Sequence, residues 1–134
     1  MIDIENEVYS RLSALIREQF PDVFVTGEYT SAPSNFPAVS IIESDNRTSD
    51  THSDSSVKEK FANVMYEVNC YSNLKTGKKV QCRRIMGIIC SEMAAMGFRR
   101  TALTPIPNMN DSTIYRMTAR FTGVADEHKT IYRR

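Results

Sequence analysis

The stretch Ala62-Asn63-Val64-Met65-Tyr66-Glu67-Val68-Asn69-Cys70-Tyr71 alternates along its whole length. Val64, Tyr66, Val68 and Cys70 share one face, while Met65, Glu67, Asn69 and Tyr71 share the other. Successive strand side chains point to opposite sides of a sheet, so this pattern predicts a strand with one strongly apolar face. Such a face must be covered by another layer. Two helical segments flank the stretch and can cover it. Downstream, Cys82, Ile85, Met86, Ile89, Met93 and Met96 repeat at helical spacing and predict a helix from Gly77 to Met96, with Gly97 as its stop. Upstream, Ile4, Val8, Leu12, Leu15 and Ile16 form a second stripe. Asp3 is placed to cap that helix, Glu5 and Glu7 favour its positive end, and Pro21 marks its end.

Further strands are expected over Val23–Tyr29, Ala38–Glu43, Phe98–Thr104 and Thr113–Val124, with a short strand or tacked-down terminus near residues 130–134. In the long strand, Tyr115, Met117, Ala119 and Phe121 alternate with Ile114, Arg116, Thr118 and Arg120. The prolines place loops at residues 31–37 and a turn at residues 105–111. Hairpin-like neighbours imply a mostly antiparallel sheet of about four to six strands with both helices on one face, an α+β fold. The chain reads as one domain over residues 1–134, with a polar loop or protruding hairpin at 44–60.

Composition narrows the function. With 134 residues, 41% apolar and 25% charged, the chain has the profile of a globular domain. Its net charge of +1 disfavours avid phosphate binding. No apolar run is long enough to cross a bilayer. The acidic start, Met1-Ile2-Asp3-Ile4-Glu5-Asn6-Glu7, does not look like a signal peptide, so a cytoplasmic site of synthesis is expected.

Residues able to carry chemistry are few. His52 and His128 lie in polar segments without an orienting partner. Cys70, Cys82 and Cys90 lack the close spacing of a zinc or redox motif and read as packed, reduced thiols. Lys75-Thr76-Gly77-Lys78-Lys79 resembles a phosphate loop only loosely, lacking its first glycine and its Gly-Lys-Ser/Thr ending. Asp45, Asp50 and Asp54 lack the central glycine and bidentate glutamate of a calcium loop. No catalytic, cofactor-binding or metal-binding set is expected, and the chain is not read as an enzyme.

Other features point to contact. On the side of the second helix opposite its core stripe, Gly87, Ser91, Ala94 and Ala95 are small, with Val80, Arg84 and Ile88 beside them. Arg84, Gly87, Ile88, Ser91, Ala94 and Ala95 are therefore the candidate subunit interface. Asp45, Arg47, Asp50, Asp54 and Lys58 are the candidate neighbour-contacting loop. Lys78, Lys79, Arg116 and Arg120 are candidate charges for a partner or for passing DNA.

Several segments resemble small tail-completion proteins of long-tailed bacteriophages, the tail terminator or minor head–tail joining proteins. They include Ile2–Tyr9, Pro33-Ser34-Asn35-Phe36-Pro37, Asn63–Val68, and Tyr71-Ser72-Asn73 with Thr76-Gly77-Lys78-Lys79. Met96-Gly97-Phe98, Pro105-Ile106-Pro107-Asn108 and Ile114-Tyr115-Arg116 extend the likeness over nearly the whole chain. The resemblance implies a helix-flanked sheet without an active site. It also implies a ring, typically a hexamer, that stops tail-tube growth and meets the head connector while genomic DNA passes through its centre. Its partners would be further copies of itself, the tail tube protein and connector or neck proteins, with no membrane. It would be assembled in the bacterial cytoplasm and reside in the virion. The alternatives are a neighbouring neck or tube subunit and, in a different class, a small nucleic-acid-binding α+β domain using Tyr115, Arg116 and Arg120.

Overall fold

The computed structural model describes residues 1–30, 33–48, 61–107 and 112–132. Helix α1 spans Glu5–Gln19. The Asp3 carboxylate accepts the Glu5 N–H at 3.2 Å, which satisfies one orphan donor of the first turn. Ile4, Val8, Leu12 and Ile16 are buried, whereas Leu15 lies only half-buried at the edge of the stripe. Helix α2 spans Lys78–Met96 between two glycines in the left-handed region, Gly77 and Gly97. Cys82, Ile85, Met86, Ile89 and Met93 are buried, as their spacing predicts, while Met96 is half-buried.

The strands are β1 (Phe24–Thr26), β2 (Ala38–Thr48), β3 (Phe61–Ser72), β4 (Arg99–Pro107), β5 (Tyr115–Asp126) and β6 (Ile131–Tyr132). Their order is β1-β2-β3-β5-β4, with β6 also paired to β5. All pairings are antiparallel except β1 with β2. Both helices pack on the face carrying Val64, Tyr66, Val68 and Cys70, together with Met117, Ala119 and Phe121 from β5. Phe98, just after α2, meets the Tyr66 ring edge-on at 5.3 Å between centroids. Burying each large side chain of this core contributes about 1.5–3 kcal/mol.

Two expectations need correction. The first strand is shorter than 23–29 and runs parallel to β2, not as a hairpin partner. Because the two strands are parallel, the chain enters β1 and β2 in the same direction. The expected turn at Pro105-Ile106-Pro107 is instead the end of β4. β4 is an outer strand of the sheet, where a missing proline N–H breaks no ladder on the open side. Of the two expectations for residues 44–60, loop or protruding hairpin, residues 44–48 follow the hairpin: they extend β2, because β3 supplies partners as far as Thr48↔Ala62. A register shift between Glu43 and Asp45 accommodates Ser44, whose hydroxyl donates to the Met65 carbonyl at 3.2 Å.

Candidate interaction surfaces

The helix-free face of the sheet carries a connected polar network. Register alone assembles it, because Asn69 sits opposite both Ser40 and Thr118, and Glu67 sits opposite Arg120. Asn69 Nδ2 donates to Ser40 Oγ and Glu67 Oε2, both at 3.1 Å. Asn69 Oδ1 accepts from Thr118 Oγ1 at 2.6 Å and Arg116 Nε at 3.0 Å. Arg120 Nη2 approaches Glu67 Oε1 at 3.3 Å, and Arg116 Nη2 lies 4.0 Å from Glu67 Oε2. The Arg116 guanidinium also stands 5.9 Å from the Tyr71 ring centre. Tyr71 O–H donates to the Thr30 carbonyl at 2.6 Å, which ties the chain after β1 onto this face.

Arg116 and Arg120 thus share a face, as the alternation predicts, but both are engaged by Glu67. Sequence reading missed that counter-charge. The only available signal was the alternation itself, which places Glu67 and the arginines on matching sheet faces without saying which residues pair. Lys78 joins Arg116, Ile106, Ile114 and Tyr115 in lining a groove of about 390 Å³. Lys79 is exposed on the first turn of α2.

On α2, Arg84, Gly87, Ser91, Ala94 and Ala95 are exposed and Ile88 is half-buried. A Cβ added at Gly87 would meet nothing within 4 Å. The candidate interface is therefore an outward side of small residues running along the helix. At its N-terminal end it meets an apolar groove that sequence reading missed. That groove holds about 550 Å³ between the end of α1 and the start of α2, with Phe20, Pro21, Leu74 and Val80 in its lining. Leu74 is 42% exposed and Val80 is 63% exposed.

In the candidate loop, Asp45 and Arg47 lie on β2 and pair with each other at 2.9 Å. Asp50, Asp54 and Lys58 lie outside the described residues, as does His52. His128 is exposed, with its Nε2 3.7 Å from a Glu127 carboxylate oxygen. Cys70 and Cys82 are buried, Cys90 is half-buried, and all three are free thiols. The hydrogen bond with Cys82, together with burial, pushes the Cys70 thiol well above its ordinary range. That state suits packing and not nucleophilic attack.

A second electrostatic centre lies at the start of α1. One carboxylate oxygen from each of Asp3, Glu5 and Glu43 lies within 4.8 Å of the other two. Burial raises the Glu43 pKa and the neighbouring Glu5 and Asp3 carboxylates add to it, against the hydrogen bonds from Tyr66 and Asn46. Tyr66 O–H donates to Glu43 Oε1 at 3.0 Å, and burial followed by the Glu43 charge holds its phenol protonated well beyond the ordinary tyrosine range.

Among known proteins, no family model matches the chain, and no curated protein is significantly similar to it.

Proposed function

We propose that the chain is a structural virion subunit of a long-tailed bacteriophage, one that forms a ring, caps the tail tube, ends tube growth and joins the tail to the head connector. The observation that carries this reading is the outer side of α2, where Gly87, Ser91, Ala94 and Ala95 are exposed beside the half-buried Ile88. A solvent-facing helix side ordinarily carries long charged residues, whereas small ones permit close approach of another backbone. The segmental resemblance to tail-completion proteins supports the same reading, and so does the two-layer fold that the resemblance leads one to expect. Capping follows if one ring face matches the last tube ring and the other recruits no further tube subunit.

Electrostatics are compatible with passage of DNA. The net charge is only +1, and Glu67 offsets two arginines on the helix-free face. A strongly basic lining would hold phosphates instead of letting them slide. The same pairing weakens the nucleic-acid-binding alternative, since Arg116 and Arg120 already have a carboxylate partner and Tyr115 packs with the core on the opposite face.

Solution mass, measured by light scattering and native mass spectrometry across concentration, tests the proposal. A closed ring of about six copies is expected. Long open tubes would indicate a tube subunit. A chain that stays monomeric even on added tail tubes would overturn the capping role.

A further inference from the structure

We propose that the apolar groove between the end of α1 and the start of α2 docks the acidic end of a second copy of this chain, making a head-to-tail contact. This deepens the ring reading and rests on it only for closure; the contact itself rests on the layout of charge and apolar surface.

The two ends of α1 differ in chemistry. At its C-terminal end lies the groove of about 550 Å³, with Phe20, Leu74 and Val80 as its apolar lining and Arg84 on its rim. Lys78, Lys79 and Arg83 follow on the same first turns of α2. Asp22 is the acidic residue in that lining. Lys78, Lys79 and Arg84 form no salt bridge among the described residues. At the N-terminal end of α1 lies a second groove, of about 540 Å³, lined by Asp3, Glu5, Tyr9 and Glu28, with no basic residue among its described lining. Glu43 stands beside Asp3 and Glu5. None of Asp3, Glu5 and Glu28 forms a salt bridge among the described residues.

The 15 residues of α1 separate the two ends by about 22 Å. One subunit therefore presents two unlike grooves at opposite ends of α1: one acidic, the other holding Arg84 and Asp22 in its lining, with the basic first turns of α2 beside it. Opposite charges brought together between copies gain attraction and specify register, while exposed apolar groups such as Val80 and Leu74 supply burial. Two unlike patches that meet generate a heterologous contact, which closes into a ring or continues as an open filament. The groove also continues into the small-residue side of α2 through Arg84, so one interface would use both features.

Charge reversal tests the contact on the full chain. One variant carries Lys79→Glu and Arg84→Glu; the other carries Asp3→Lys and Glu28→Lys. Val80→Ser serves as an uncharged third variant, and far-UV circular dichroism melts verify folding of all three. Sedimentation equilibrium at low salt should show wild-type association weakened about tenfold or more in each variant. Mixing the two charge-reversed variants in equal amounts should restore it. Wild-type association should also weaken as salt rises from about 50 to about 500 mM. Variants that associate like wild type, a mixture that stays dissociated, or a wild-type chain that is monomeric at about 1 mM would each overturn the contact. A closed ring indifferent to charge reversal would keep the ring and remove this interface. Open filaments lost on reversal and restored by mixing would keep the interface and remove the ring.

Discussion

Glu67 is the residue on which the helix-free face turns. It is 7% exposed and meets Asn69, Arg116 and Arg120. Removing its charge while keeping its shape leaves two guanidinium groups without their carboxylate. Arg120 is half exposed and recovers water, whereas Arg116 is more enclosed. Glu67→Gln is therefore expected to cost about 1–3 kcal/mol in urea unfolding, and Arg120→Ala less than about 1 kcal/mol. Equal small losses from both would show that the arginines simply turn to solvent. Glu43 behaves in the opposite sense. Its folded pKa is raised, so the native state binds its proton more readily than the unfolded chain does. Stability from this group is greatest below the unfolded carboxylate pKa and declines as pH rises through the raised value. Glu43→Gln keeps an acceptor for Tyr66 and removes the buried charge. It should raise stability at pH 7, by less than about 1 kcal/mol because water still reaches the site, and this gain should vanish near pH 4. A gain independent of pH would contradict the assignment.

Among the elements, α2 shows how two glycines in one helix carry opposite consequences. Gly97 terminates it at φ 107°, and an added Cβ would stand 2.7 Å from the Ile131 carbonyl oxygen. Both the left-handed backbone and the close approach of β6 demand glycine there. Gly87 lies mid-helix against open space. Gly97→Ala should destabilise by about 2 kcal/mol or more, while Gly87→Ala should stabilise by about 0.5–1 kcal/mol. Thermal melts of both variants check the pair, and a loss from Gly87→Ala would indicate a contact on that side within the isolated chain. Strand β4 makes a related point. Its Pro105 and Pro107 read as a turn in sequence, yet they pair with Met117 and Tyr115. A proline signals a break only where both sides of the backbone are needed for hydrogen bonds.

For the whole molecule, the proposed ring places function in surfaces that the isolated chain leaves exposed. Ala94→Glu introduces a charge on the outer side of α2 and should abolish rings in light scattering while leaving the melting temperature within a few degrees. Intact rings from that variant would remove the α2 face from the assembly. The candidate loop separates from the fold in a similar way. Thr48 pairs with Ala62, so replacing residues 50–60 by a two-residue Asn-Gly turn keeps the register of the ladder. That variant should fold, form rings and fail to cap tubes. Tails of normal length from it would show that the loop takes no part in capping.

Periodicity along the chain was enough to identify both helices, the faces of β3 and β5, and the α+β class. Apolar spacing is a local property, and it dictates which side of an element must be buried whatever that element meets. The outer side of α2 was legible for the same reason. The parallel β1, the edge position of β4, the choice of hairpin over loop for residues 44–48, the Glu67 counter-charge and the apolar groove beside α2 were decided only by the tertiary structure. Each depends on which distant segment becomes a neighbour. Strand order and register are chosen by hydrogen bonding and burial across the whole sheet, and no window of sequence contains both partners.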